Sequence, residues 1–576
     1  MHRRTLFYLI VATLLWPFYN ESNGQITNPR SWAEWEETDG VIVHQPNFYI
    51  ENPTPIDLQI AEEWDRLYID LILGLMQEGV NIYYILDTND RPEYHSGILD
   101  TMQLKYGIDI HDPKFHVVIG CKANYNRLTK WTRDHGPMNV YKNKVDSLHL
   151  YLFKDDNRGA GAIIRNYLHL RDTVFNENAS SSLASDGGNY MVDGNKMGII
   201  DFGYNAMLPE YQTKFGLDTV HQIPHYLNHC DYYMKLVNEE TIILTDRHPQ
   251  NYTYGSEPYS YEEDSVLLLN ILSYLQEQVI SQYGRLLKVY RICSPPSQKN
   301  DSLKLWYYTQ YASYTNSIIV NNSVFVPQFD VITYDSIALE TYKKAMPGYN
   351  IIPVYSRRGV VEGGAVHCLT NSVAALDPIW IYHAWYKDTV QPETYYEIKT
   401  NVMSRSGVFE LYTYYSNSPD GPFNRIPMQL DFGNEYRAFI PREDNTEIIH
   451  YYIEVTSNSG KTITKPFVAP DCTYQIDIGE ASNGLINKTY KACGHIIIFP
   501  NPAVDITHIE ILSEKFGKSS TIIIKLFDLY GKIVKKQYTS FSDIIELNLE
   551  GLVAGEYFIM IQNEEGFFLS DKLIIR

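Results

Sequence analysis

Four short islands of the chain carry side chains able to do chemistry. Cys368 stands in E-G-G-A-V-H-C-L-T-N, Glu362 to Asn371, after a Gly-Gly turn and beside His367. A thiolate is a strong nucleophile, but a buried cysteine is more commonly an inert small hydrophobe, so its neighbours decide. H-Y-L-N-H-C-D, His225 to Asp231, is followed by Lys235. In a strand, His229 and Asp231 share a face and pair an acid/base with a cation binder. In a helix, His225 and His229 stack four residues apart, a metal-ligand spacing, yet no third ligand is evident and no metal is expected. W-T-R-D-H-G-P, Trp131 to Pro137, puts Asp134 before a Gly-Pro turn, where a carboxylate is either exposed at a strand end or simply a turn residue. S-D-G-G-N-Y, Ser185 to Tyr190, has paired glycines that let a backbone approach a ligand or merely close a hairpin; the turn is the better reading in isolation.

Order and content together say more than any island. W-x-R-D-x-G-P, G-G-N, H-x-D, Y-T-N and G-G-A-x-H-C-x-T resemble the agmatine deiminase-like branch of the guanidino-modifying (pentein) superfamily. Within that branch the likeness is to bacterial, Porphyromonas-type peptidylarginine deiminases, and it spans Trp35 to Leu376. A guanidinium is a planar cation with five donors, recognised by carboxylates in fork geometry. Breaking its C–N bond requires a nucleophile, an acid for the departing ammonia and a base for water. The resemblance implies Cys368 as nucleophile, His229 as general acid and base, and Asp134 and Asp231 as guanidinium binders. Asn316, in S-Y-T-N-S, matches the family's active-site Asn, and Trp131 and Tyr226 match positions flanking the arginine side chain. It also implies a pentein α/β-propeller of five ββαβ units, and neither calcium nor any other cofactor; nothing resembles an EF-hand loop.

One departure concerns substrate presentation. The resembled enzymes hold a peptide's C-terminal carboxylate with two nearby arginines. Here the region reads F-K-D-D-N-R-G-A-G, so Arg158 supplies one and Ala160 stands where the second is expected. Arg165 and Lys154 are the candidates to compensate. Deimination is therefore the firmer expectation, and C-terminal versus internal arginine stays open.

The elements that must position these residues read as an α/β class up to about residue 376. Apolar spacing over Ile56 to Glu78 predicts a helix followed by a strand at Val80 to Leu86. Strands follow at Phe115 to Ile119, Leu148 to Phe153, Gly198 to Phe202 and Thr241 to Leu244, with a helix at Val266 to Gln278 and a strand pair around Asn321-Asn322. Beyond Asp377 the strands are short and alternating, at Glu397 to Val402, Val408 to Tyr415, Tyr436 to Ile440 and Ile448 to Val455, which predicts an Ig-like β-sandwich. The expected division is a signal peptide over 1–24, a deiminase domain over 25–376, a β-sandwich over 377–475, a linker over 476–494 and a small β-domain over 495–576.

That last segment contains FPNPA, YGK, GEYFIMI and a closing KLIIR, which resemble the C-terminal sorting domain of the type IX secretion system. At the other end, Arg3 and Arg4 precede an apolar run from Leu6 to Leu15, the pattern of a signal peptide. No later run suits a membrane helix, so a secreted or outer-membrane surface-attached protein is expected, with the type IX machinery as a partner. The net charge of −21 repels phosphate backbones and excludes nucleic acid as a natural partner; it suits arginine-containing peptides or proteins, and equally simple solubility. Six cysteines without a C-x-x-C pair argue against a disulfide framework or structural zinc, and leave pairing of Cys472 with Cys493 open. The competing expectations are a deiminase of agmatine or free arginine, an amidinotransferase sharing the covalent intermediate, and a catalytically idle surface binding protein.

Overall fold

The computed structural model describes residues 28–44, 53–87, 97–120, 130–152, 160–171, 175–178, 187–201, 208–224, 229–246, 261–295, 312–479, 495–512, 521–528, 532–542, 544–563 and 568–576. Within residues 30–374, one ββαβ pattern recurs five times. Each instance is an antiparallel strand pair, then a helix, then a strand parallel to the second. The first is assembled from both ends of the region: β17 (Thr370–Ala374) pairs antiparallel with β2 (Thr38–His44), and helix Pro55–Glu78 leads to β3 (Asn81–Asp87), parallel to β2. β4 (Phe115–Gly120) extends that sheet.

The others are continuous in sequence. β5 (Met138–Tyr141) and β6 (Leu148–Leu152) are followed by helix Ala160–Arg171 and β7 (Phe175–Asn178), and β1 (Arg30–Ser31) adds at the β5 edge. β8 (Tyr190–Val192) and β9 (Met197–Asp201) are followed by helix Leu208–Phe215 and β10 (Thr219–Ile223). β11 (Met234–Asn238) and β12 (Thr241–Asp246) are followed by helix Tyr261–Glu277 and β13 (Lys288–Cys293). β14 (Ile318–Val320) and β15 (Ser323–Gln328) are followed by helix Ile332–Ala345 and β16 (Asn350–Tyr355).

The local chemistry explains these elements. Helix Pro55–Glu78 begins with Thr54 and Asp57 capping one another reciprocally, worth ~1 kcal/mol, and ends at Gly79 with φ +65°, a left-handed conformation that glycine tolerates. Its buried face is Trp64, Leu67, Tyr68, Leu71, Ile72 and Leu75, at the spacing read from the sequence. The central strand β12 is apolar and buried along almost its whole length because both its faces are covered. The β14–β15 hairpin turns at Asn321, with φ +49°, as the Asn-Asn pair suggested.

Beyond residue 374 the described elements are strands. β18 (Ile379–Tyr382), β19 (Tyr395–Ser404), β23 (Glu435–Pro441) and β22 (Gln429–Phe432) form one sheet. β21 (Asn424–Pro427), β20 (Val408–Ser416), β24 (Ile448–Ser457), β25 (Thr462–Lys465) and β26 (Tyr474–Asp477) form a second. Ile381, Ile398 and Val402 of the first share a core with Leu411, Ile453 and Val455 of the second. Ion pairs of Lys461 with Glu37 and of Lys465 with Glu239 fasten this sandwich to the α/β region. The described strands between 495 and 575 form two further antiparallel sheets around Ile509, Ile524, Leu547 and Ile559. Among the described residues no helix is long and apolar enough to cross a membrane. The expected signal peptide lies outside them.

Candidate active site

The four islands and the Y-T-N motif fall at equivalent places, in the segment that enters the first strand of each ββαβ unit. Thr132–His135 is a single 3-10 turn before β5. Gly187–Asn189 is one before β8, and Cys230–Tyr232 one before β11. Asn316 lies two residues before β14, and Cys368 sits in the one-turn helix Val366–Leu369 that runs into β17. Repetition of the unit therefore gathers residues more than two hundred positions apart. His229 and Asp231 are on neither a strand nor a helix: His229 is extended (φ −133°, ψ 137°) and Asp231 lies in the turn that follows.

Cys368 is 3% exposed, and its sulfur lies between two polar partners. Asn316 Nδ2 donates to Sγ at 3.1 Å, and the thiol donates to Asp231 Oδ2 at 3.5 Å. Asn316 Oδ1 accepts the backbone N–H groups of Ala365 and Cys368, so one buried amide orients both the helix turn and its sulfur. Burial, and then the negative charges of Asp231 and Asp134, push the Cys368 thiol well above its usual value; the Asn316 and Ala365 hydrogen bonds oppose this less strongly.

His229 Nδ1 is 3.8 Å from Asp134 Oδ1, and both side chains are partly accessible. One ligand-type atom from each of His229, Asp231 and Cys368 lies within 4.8 Å of the others, a compact pocket for a cation. Trp131 is half-buried beside it. The glycines are explained by what crowds them. A Cβ on Gly364 would meet Trp131 Cζ3 at 2.2 Å and Cys368 Cβ at 2.8 Å; one on Gly188 would meet His229 Nδ1 at 2.5 Å. Asn189 completes the G-G-N island by accepting the Cys230 backbone N–H at 2.9 Å, which fixes the turn carrying His229 and Asp231. The paired glycines thus do more than close a hairpin. Gly188→Ala should displace the imidazole by about 1 Å and lower kcat/KM roughly 10- to 100-fold with little loss of thermal stability, as measured by kinetics beside a melting curve.

Sequence reasoning did not single out the charged layer behind Asp231. His367 Nδ1 lies 2.6 Å from Asp231 Oδ2, and its Nε2 lies 2.9 Å from Glu34 Oε2. Glu34 also pairs with Lys235 and lies 3.8 Å from Arg133. Burial alone would raise the Glu34 carboxyl, but Lys235, His367 and Arg133 hold it well below the usual range. For Asp231, likewise, burial is outweighed by His367, His229 and Arg133. Tyr226, Arg158 and Lys154 lie outside the described residues, whereas Arg165 is buried in helix Ala160–Arg171.

Residues 217–373, which hold His229, Asp231, Asn316 and Cys368, match the Porphyromonas-type peptidyl-arginine deiminase family. The chain carries a deiminase domain of that family. Proteins bearing the name agmatine deiminase are similar to part of this chain: one from Vibrio parahaemolyticus is 45% identical over 64 residues, 11% of this chain and 18% of its own. One from a Marinomonas species is 29% identical over 157 residues, 25% of this chain and 39% of its own, so the chain spans well under half the length of either. Among solved structures, a peptidyl-arginine deiminase aligns over 61% of this chain and 99% of its own (16% identity, TM-score 0.46). The agmatine deiminase of Enterococcus faecalis aligns over 60% and 95% (14% identity, TM-score 0.43). Residues 497–576 match the secretion system C-terminal sorting domain. The deiminase domain therefore belongs to a protein that is secreted or attached to the cell surface.

Proposed function

We propose that the protein hydrolyses the guanidinium of peptidyl arginine to the ureido group of citrulline, releasing ammonia. The observation that carries this is the setting of Cys368 Sγ, held by Asn316 and facing Asp231, with His229 and Asp134 beside them. Asp134 and Asp231 bind the guanidinium nitrogens, and the arriving cation offsets the two charges that hold the thiol protonated. The thiol proton passes to His229 and Sγ attacks the central carbon; the C–N bond breaks as His229 delivers that proton to the leaving ammonia. A covalent thiouronium remains. His229 then takes a proton from water, whose oxygen displaces sulfur. Trp131 and Tyr226 are the candidates to flank the substrate chain, Arg158 is the candidate to meet a carboxylate where the arginine is C-terminal, and no cofactor takes part. The catalytic unit is the pentein α/β-propeller of residues 25–376, exported by a signal over 1–24. An Ig-like sandwich over 377–475 and a linker over 476–494 join it to the sorting domain over 495–576.

Agmatine is the second reading, favoured by the names of the similar proteins; export supports a peptide substrate. Incubation with a peptide ending in Arg, a peptide with internal Arg, agmatine and free arginine separates them by ureido product and ammonia. Product from either peptide is the expected result. Reaction of agmatine alone would favour the second reading, and no product from any substrate would favour an idle binding protein.

The high thiol pKa gives a pH test. Without substrate, neutral iodoacetamide should label Cys368 slowly at pH 7, with the rate still rising at pH 9. A cationic chloroacetamidine, which brings its own charge between the carboxylates, should label it about 100-fold faster at pH 7. Mass spectrometry of the adduct reads both rates. An iodoacetamide profile already flat below pH 7 would contradict the assignment.

A further inference from the structure

Helix Tyr261–Glu277 is apolar on two sides. Leu268, Ile271 and Leu275 pack into the core of the deiminase domain, against strands that include Ile242 and Ile292. Val266 and Leu269 belong to a separate cluster, which Leu272 borders from the seam between the two. The other members of that cluster are Phe527, Phe558 and Met560, all from the sorting domain. A crossover helix needs one apolar stripe to lie on its own sheet; a second stripe needs a second partner.

The sorting domain is apolar on two sides as well. Strands T-I-I-I-K-L-F, Thr521–Phe527, and G-E-Y-F-I-M-I-Q-N, Gly555–Asn563, are antiparallel neighbours at the centre of one sheet. Ile522, Ile524 and Leu526 of the first, with Tyr557, Ile559 and Ile561 of the second, fill the core of the small β-domain. In an antiparallel strand with one face in water, the alternate positions are polar. Here they include Phe527, Phe558 and Met560, which are 0%, 3% and 0% exposed, with Phe527 directly opposite Phe558. The cover is local. Lys536 and Tyr538 of the adjoining strand Ile533–Ser540 pair with Lys525 and Ile523 on that same outer face, and both are exposed.

We infer that Val266, Leu269 and Leu272 form a docking surface for the sorting domain of the same chain, which is carried against the enzyme rather than trailing from residues 480–494. Each side supplies an apolar patch that its own domain leaves uncovered, and the two patches bury one another. A partner that reads the Phe527–Phe558–Met560 face must therefore first displace the helix. The inference does not rest on the deiminase reading, because neither patch includes a residue of the candidate active site.

Methionine oxidation in the intact full chain tests it without turnover. Met234 is 0% exposed in the deiminase core and serves as the internal standard. In dilute peroxide, Met560 should form sulfoxide as slowly as Met234, about 10-fold or more below its rate in the unfolded chain, as read by peptide mass spectrometry. Leu269→Asp puts a charge against Phe527, Phe558 and Met560 and should speed Met560 oxidation about 10-fold while Met234 stays protected. Fast oxidation of Met560 in the wild type would overturn the inference, as would a Leu269→Asp chain in which Met560 and Met234 are both still protected. If Leu269→Asp unfolds the deiminase domain, Met234 oxidises too, and the milder Leu269→Ser takes its place with the same two readouts. A contact within one chain is independent of concentration. Protection of Met560 that fades on dilution would assign the patch to a second copy and overturn the inference.

Discussion

Cys368→Ala should lower ureido-product formation by ~10⁴-fold or more, leaving only what binding and the carboxylates contribute. The substitution removes one buried sulfur that touches Asn316 and Asp231, so the fold should persist. A melting curve close to the wild type, with no mass adduct trapped from substrate, completes the expected result. Product formation within tenfold of the wild type would remove Cys368 from the chemistry.

Asp231→Asn is expected to have the next largest effect, about a 10³-fold fall in kcat/KM for a cationic substrate. The amide is nearly the same size but brings a donor toward His367 Nδ1, and it removes one of the two charges proposed to bind the guanidinium. Stability should change with a defined sign. A carboxyl depressed in the folded state contributes stability that is fully present above the ordinary carboxylate range, about pH 4, and is lost as pH falls through its folded value. Asp231→Asn should therefore melt below the wild type at pH 7, with the gap closing below pH 4. A kcat/KM within tenfold of the wild type would show that Asp231 is not a guanidinium clamp.

The site was legible where spacing or motif order carried it. Helix Pro55–Glu78 and the hairpin at Asn321 follow from periodicity and turn chemistry alone. Strands of three to five residues such as β5, β8 and β10 escaped, because alternation over so short a span has no contrast with a loop. The H-x-D pair suggested a shared strand face, but the backbone turns after His229 and the two side chains converge from a bend. Glu34 escaped for another reason. In S-W-A-E-W-E-E it looks like one acid among several, and its partner His367 is 333 residues away. Only closure of the sheet by β17 brings them together.

That closure also sets a timetable. β2 is laid down near the start of the chain and β17 more than 300 residues later, and Cys368 lies two residues before β17. While the polypeptide is still emerging from the ribosome, or threading an export channel unfolded, the first sheet lacks its closing strand and the pocket lacks its sulfur. On the proposed deiminase reading, a partly delivered chain is therefore inactive, and the chemistry begins only after the final strand is in place.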